Sequence, residues 1–350
     1  MTRSAHQRMP STCPSVDLVD GKPTLQERRL APPADGPYVA LRVPLMGLCR
    51  SDVREVQSAR HGRSDFGHEL VGVVVQSRAV ESLSPGTQVC LDPHVPIERA
   101  KGFGPWLLAV ADGPSLTRAL VPVPADVTPR KAVFCEPLAC VCHSFRALMT
   151  VLPVPSLAGL DMAVVGAGVS SALFGLLCRH HGAHPVAFFN RSHERLRFLR
   201  STQLFRGSSL ATFSGAPRHR YPVVIIATAR IDAVSLRVAC SLLDRDGVLF
   251  VYGGTDSTTP AIAGVNVDRV RRREESCSTR VDERPILVAG AHGATGADFG
   301  TSVDLLRSAP AFRHTERLIS RTMSLAELHA FLRAGSAQSP PWCGKILVET

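Results

Sequence analysis

The chain has no apolar run of the roughly 18 residues that a membrane-spanning helix needs. Arg3 and Arg8 open the sequence without an apolar stretch behind them, so a secretory leader is not expected. Lysine is scarce: Lys22, Lys101, Lys131 and Lys345 are the only four among 40 basic residues. The formal charge of +10 is therefore carried by arginine, spread along the whole chain. A nucleic-acid footprint would cluster its cations, so no nucleic-acid partner is expected. The densest run, Arg269-Val270-Arg271-Arg272-Arg273, leads straight into Glu274 and Glu275 and reads as a solvated loop or helix face. Ten cysteines lack any paired framework, which points to reduced thiols and a cytoplasmic protein. Most of them, Cys140 and Cys142 included, read as small buried apolar groups.

With 350 residues and 45% apolar content, the chain can fill two cores. Residues 1–35 are polar and proline-rich, with a short strand-like start. Strands are expected at Tyr38–Val43, His68–Gln76 and Thr87–Leu91, with a turn at Pro85-Gly86. No helix separates them, so the first part reads as a compact β-rich domain. Near residue 143 the rhythm changes. Apolar strands at Met162–Val165, Val186–Phe189, Val223–Thr228, Gly247–Tyr252 and Pro285–Gly290 alternate with helical stretches such as Ser170–His181. That alternation predicts a parallel sheet covered on both faces. After Gly290 come a helix and a strand-like tail beginning at Lys345, which suggests a return to the first domain. The expected division is 1–141, 142–291 and 292–350.

Chemistry-bearing residues fall in short separated strings. Gly47-Leu48-Cys49-Arg50-Ser51-Asp52, Gly67-His68-Glu69 and Glu136-Pro137-Leu138 offer one thiol, one imidazole and two carboxylates. Such a set can hold a divalent transition metal, and ligands this far apart require a fold to assemble them. Gly166-Ala167-Gly168-Val169-Ser170-Ser171 ends a strand and opens a helix, the setting in which a Gly-x-Gly string binds a dinucleotide pyrophosphate. Ser171 stands where a third glycine would allow close helix–strand packing. At the end of the next strand, Asn190-Arg191-Ser192 replaces the acidic residue that accepts from an NAD ribose. With Arg191 and Arg195 there, the reading leans to NADP(H), NAD(H) remaining the alternative.

These strings, taken in order, resemble the zinc-dependent medium-chain alcohol dehydrogenases, the sorbitol, threonine and inosamine dehydrogenase branch above all. The resemblance runs from about residue 20 to the Lys345 tail. It implies an α/β chain: a GroES-like β-rich catalytic domain built from both chain ends, and an inserted Rossmann domain with a doubly wound parallel sheet. It implies zinc, a nicotinamide cofactor, a small-molecule substrate and a homodimer or homotetramer. Cys49 and His68 look like zinc ligands. Glu69 and Glu136 both look like candidates for the third, with Glu69 also counted among the catalytic groups. Ser51 resembles the hydroxyl that accepts the substrate proton. The implied reaction is hydride transfer between the cofactor and a secondary alcohol or ketone of a polyol, amino alcohol or sugar-like metabolite. A catalytically degenerate nucleotide binder and a zinc-free NADPH-dependent reductase are the alternatives.

The sequence also departs from that pattern. Arg54 stands where relatives often carry a histidine that passes the proton on, and a guanidinium stays protonated. From Asp92 to Asp112 there is no cysteine, so the four-cysteine lobe for a second, structural zinc cannot form. One zinc is therefore expected.

Overall fold

The computed structural model describes residues 8–57, 65–214, 219–335 and 342–350. Two large sheets organise it, and the sequence pattern accounts for each.

The second sheet in the chain has seven strands in the order Leu210–Thr212, Val186–Asn190, Met162–Val165, Tyr221–Ile226, Leu243–Val251, Arg284–Gly290 and Ser276–Val281. The first six are parallel, and the last pairs antiparallel at the edge. Numbered by chain order, the parallel strands run 3-2-1-4-5-6, the doubly wound arrangement that binds dinucleotides where the order reverses. Met162–Val165 and Tyr221–Ile226, at the centre, are apolar at every position because both faces are covered. Met162–Val165 is wholly buried. One face packs against the Cys135–Val151, Val169–His180 and Gly296–Ser308 helices. The other packs against the Ala233–Leu242 and Val267–Arg273 helices.

The first sheet is antiparallel in its body. It runs Ile319–Met323, Lys345–Glu349, Tyr38–Leu48, Glu69–Arg78, Gln88–Leu91 and Leu120–Pro122, with Trp106–Val110 also on Tyr38–Leu48. The tail that begins at Lys345 pairs antiparallel with Tyr38–Leu48. The C-terminal end of the chain is thus part of the N-terminal sheet. In the cysteine-free stretch, Glu98–Arg99 pairs antiparallel with Trp106–Val110.

The expectation that no helix separates the first strands is corrected: Arg50–Val56 is a helix between Tyr38–Leu48 and Glu69–Arg78, too short to show a helical apolar period. Other elements were not legible beforehand either. Thr12–Val19 and Lys22–Arg29 form a complete hairpin, and Ser276–Val281 adds the antiparallel edge strand. The arginine run is the Val267–Arg273 helix, but it is not uniformly solvated. Arg271 is half-buried, and its Nε donates to the Tyr252 carbonyl at 2.8 Å.

Candidate active site

Strand register, not sequence proximity, assembles the ligand set. Cys49 follows the end of Tyr38–Leu48, and Glu69 begins the strand paired beside it, with Gly47 directly opposite Glu69. His68 precedes Glu69 on a turn that only glycine fits: Gly67 has φ +71°, and a Cβ there would strike the backbone of Gly102. As a result, the ligand atoms of Cys49, His68 and Glu69 all lie within 4.8 Å of one another. Glu136, in the first turn of the Cys135–Val151 helix, is buried and lines the same cleft but stands outside this group of three. The thiol of Cys140, one helical turn on, donates to Glu136 Oε1 at 3.4 Å. Cys140 is therefore a cleft residue, not the plain core packing expected of it; Cys142 is buried in the core as expected.

The chemistry of this donor set fits a cation. His68 Nδ1 donates to the Asp65 carbonyl at 2.8 Å, which leaves the Nε2 lone pair for a metal. Burial opposes a charged imidazole, yet Asp52 first, then Cys49 and Glu136, hold the His68 pKa well above the ordinary histidine value. The pocket draws positive charge to the point where a metal would sit. Burial first, and Glu69 after it, push Glu136 up against the pull of His68. A third carboxylate, Asp52, is wholly buried behind the ligands. It accepts from the backbone N–H of Cys49 (2.8 Å) and of Gly67 (3.0 Å), tying the two ligand strings together. On the far side, the ammonium of Lys345 is ion-paired with Glu69, both side chains almost fully buried. Neither Asp52 nor Lys345 was singled out from sequence. Asp52 could have been, since it closes a capping box on Cys49 at the start of the Arg50–Val56 helix.

The cleft is about 700 Å³ and runs from these ligands to the carboxyl ends of the parallel strands. Gly166, Gly168, Ser170, Asn190, Arg191 and Arg195 all line it, as do Ser51 and Arg54. Gly166 has φ +138°, and a Cβ on it would collide with Ser171 Oγ and the Ala227 carbonyl. Ser171 itself is buried and donates to that carbonyl at 3.0 Å, so it packs the turn and does not face the cleft. The Ser51 hydroxyl is buried and finds no hydrogen-bond partner among the described residues. Arg54 reaches from the first domain to Gly254 of the second, where a Cβ would stand 2.7 Å from its Nη1.

Where the cleft reaches Asn190, cations crowd together. The Arg50 guanidinium stacks on Trp342 at 4.0 Å. Burial first, then the charge of Arg195, lower its pKa to about 10. Burial also lowers Arg195. No ion pair to either appears among the described residues, and two half-buried guanidinium groups that repel each other favour an anion between them. Arg191 differs: it is paired with Asp232 at 2.6 Å. Burial costs Asp232 something, but Arg191 and the Ser235 N–H hold its pKa at about 2. Asn190 is buried, and its Oδ1 accepts from the Ser192 N–H at 2.8 Å.

Comparison with solved structures decides the fold. A zinc-binding dehydrogenase from Sinorhizobium meliloti 1021, bound to NADP, superposes with a TM-score of 0.72 over 97% of this chain and 100% of its own, at 20% identity. The chain has the medium-chain dehydrogenase fold. An alcohol dehydrogenase from E. coli CFT073 complexed with NADH gives a TM-score of 0.70 at 18% identity over 97% of this chain and 100% of its own. Among curated proteins, L-arabinitol 4-dehydrogenase from Talaromyces emersonii is 29% identical over 210 residues, which is 53% of each chain. The chain thus aligns with about half the length of the curated relatives it matches. No protein-family model matches it. Among the described residues, no helix is long and apolar enough to cross a membrane.

Proposed function

We propose that the protein is a metal-dependent oxidoreductase. It would transfer a hydride between a nicotinamide cofactor and a secondary alcohol or ketone of a polyol-like metabolite. One observation carries this reading: the Cys49–His68–Glu69 cluster and the Gly166–Gly168 turn open onto the same cleft. The polyol class is supported by the L-arabinitol 4-dehydrogenases to which half the chain is similar.

Cys49, His68 and Glu69 would hold one zinc ion, with Glu136 beside it. The ion would supply Lewis acidity to the substrate oxygen, and the nicotinamide would carry the hydride. The protein's part is to orient and to move a proton. Ser51 presents a buried, unpaired hydroxyl to the substrate, able to take its proton as it gives up its own. Arg50 and Arg195 neutralise the dinucleotide phosphates. Arg54 spans the domains beside Gly254, where its fixed charge can hold an anion but cannot relay a proton.

The test is turnover of pentitols, hexitols and their phosphates by the zinc-loaded protein with NAD or NADP. Nicotinamide reduction that a chelator abolishes and zinc restores supports the reading. A zinc-loaded protein that reduces neither cofactor with any of them sinks it. Ser51→Ala is expected to lower kcat by roughly 10²–10⁴-fold, the range of a lost proton-transfer group, with KM less affected.

NADP is the proposed cofactor. Asn190 supplies no negative charge at the ribose, and Arg191 and Arg195 flank it. The pair that Arg191 makes with Asp232 must open or widen to admit a 2′-phosphate. Arg191→Ala should therefore weaken NADP by about 1–2 kcal/mol, the low end for a charged contact because the side chain is half exposed. Asp232→Asn keeps the helix cap but frees Arg191, and should tighten NADP relative to NAD. Equal changes for both cofactors in these two variants would show that Arg191 does not read the phosphate.

A further inference from the structure

The proposed reaction releases a proton, and Arg54 cannot carry it. A different imidazole stands in the cleft. His94 follows the Gln88–Leu91 strand and lines the cleft within reach of the charge of Glu136. Its ring is fixed in an unusual way for a surface loop. Asp92, only 2% exposed, accepts through one oxygen from both the His94 backbone N–H (2.9 Å) and the ring Nδ1–H (3.1 Å). With Nδ1 tied to a buried carboxylate, Nε2 is the free nitrogen. It points across the domain boundary, where a Cβ on Gly293 would stand 3.4 Å from it. The side chain keeps 42% exposure, so it reaches both cleft and solvent.

We infer that His94, oriented by Asp92, is the acid–base group of the site and that the proton leaves through it. The inference rests on the dehydrogenase reading. In oxidation, the substrate carbon gives its hydride to the nicotinamide and the C–O bond becomes a carbonyl. The hydroxyl proton passes to Ser51, which gives up its own to His94 Nε2 in the same cleft, and the imidazolium then delivers it to solvent. In reduction the same path runs backward. Asp92 is a positioning residue: it fixes the tautomer and stabilises the imidazolium, as the buried carboxylate does in other Asp–His pairs.

The groups that face His94 agree with this role. Asp92 first raises its pKa above the ordinary value; burial opposes, and Glu136 and Asp65 add to the rise. His292, Gly293 and Arg271 also line the cleft. A base of raised pKa is neutral, and able to accept, only above that pKa. Oxidation should therefore fall as pH drops through an ionisation above about 6.5.

Two measurements on the full chain test this. The first needs no turnover: a histidine ring resonance that His94→Gln removes should titrate above about 6.5, and Asp92→Asn should lower that value. A resonance that Asp92→Asn leaves unmoved overturns the dyad. The second is the pH–rate profile of the zinc-loaded enzyme with a polyol that the wild type oxidises. His94→Gln should abolish the acidic limb and cut kcat by roughly 10²–10⁴-fold. Asp92→Asn should shift the limb downward, with a smaller loss. A His94→Gln enzyme that keeps the wild-type limb, or that raises KM alone, overturns the inference while leaving the dehydrogenase reading intact. A wild type with no turnover on any alcohol overturns both.

Discussion

Cys49→Ser and His68→Ala are expected to give folded proteins that have lost both zinc and turnover. The wild type should carry one zinc per chain, and each variant close to none. The reason is the number of donors. Three atoms within 4.8 Å form the cluster, and a catalytic zinc holding three protein ligands has none to spare. Changing a group that merely orients a ligand already costs about 10–100-fold in affinity or activity. Removing a ligand costs more. Asp52→Asn supplies that milder comparison, because it weakens the link between the Cys49 and Gly67 backbones without touching a donor atom. Folding should survive in the two ligand variants, because both domains have apolar cores that do not include the site. Elemental analysis and circular dichroism on the same samples decide the matter. Close to two zincs per wild-type chain, or unchanged zinc in either variant, contradicts the assignment.

The parallel sheet was legible in the sequence because strands buried on both faces must be apolar throughout. Met162–Val165, the Gly166 turn and the Val169–His180 helix follow in the order a nucleotide fold needs. The hairpin of Thr12–Arg29 escaped because its second strand is mostly exposed and reads as Lys-Pro-Thr-Leu-Gln-Glu-Arg-Arg. Its signal was the Asp20-Gly21 pair between the strands, both at positive φ. In the site, residue types announced the metal donors, but adjacency did not. Gly47 meets Glu69 only through strand register, and Leu48 meets Ile346 in the same way. The partners of those donors were therefore hidden. Asp52 looked like part of a ligand string, His94 like part of a missing lobe, and Lys345 like the start of a tail. For Lys345 a clue existed. It is one of four lysines in an arginine-rich chain, and it opens the apolar strand Lys345–Glu349.

Lys345→Met should be among the most destabilising single substitutions in the first domain. Glu69 is 1% exposed and Lys345 4%, so each is the other's replacement for water. Burial lowers the lysine pKa, but Glu69, Cys49 and Glu136 together outweigh this and leave it raised, which keeps the ammonium charged. Removing one partner of such a pair leaves an uncompensated buried charge and costs about 3–5 kcal/mol. Methionine preserves most of the side-chain volume, so the loss reports charge more than packing. Glu69→Gln with Lys345→Met should recover much of it, since neither charge then remains. Zinc separates this pair from an ordinary buried ion pair. Glu69 is also a proposed ligand, and a bound cation would partly replace the missing ammonium. Zinc should therefore raise the melting temperature of Lys345→Met by more than it raises that of the wild type. The double variant, which lacks the Glu69 carboxylate, should show no such excess. Denaturant and thermal melts of the three proteins with and without zinc measure both effects. A Lys345→Met protein within about 0.5 kcal/mol of wild type, the range of an ordinary surface change, would show that Glu69 does not depend on the lysine.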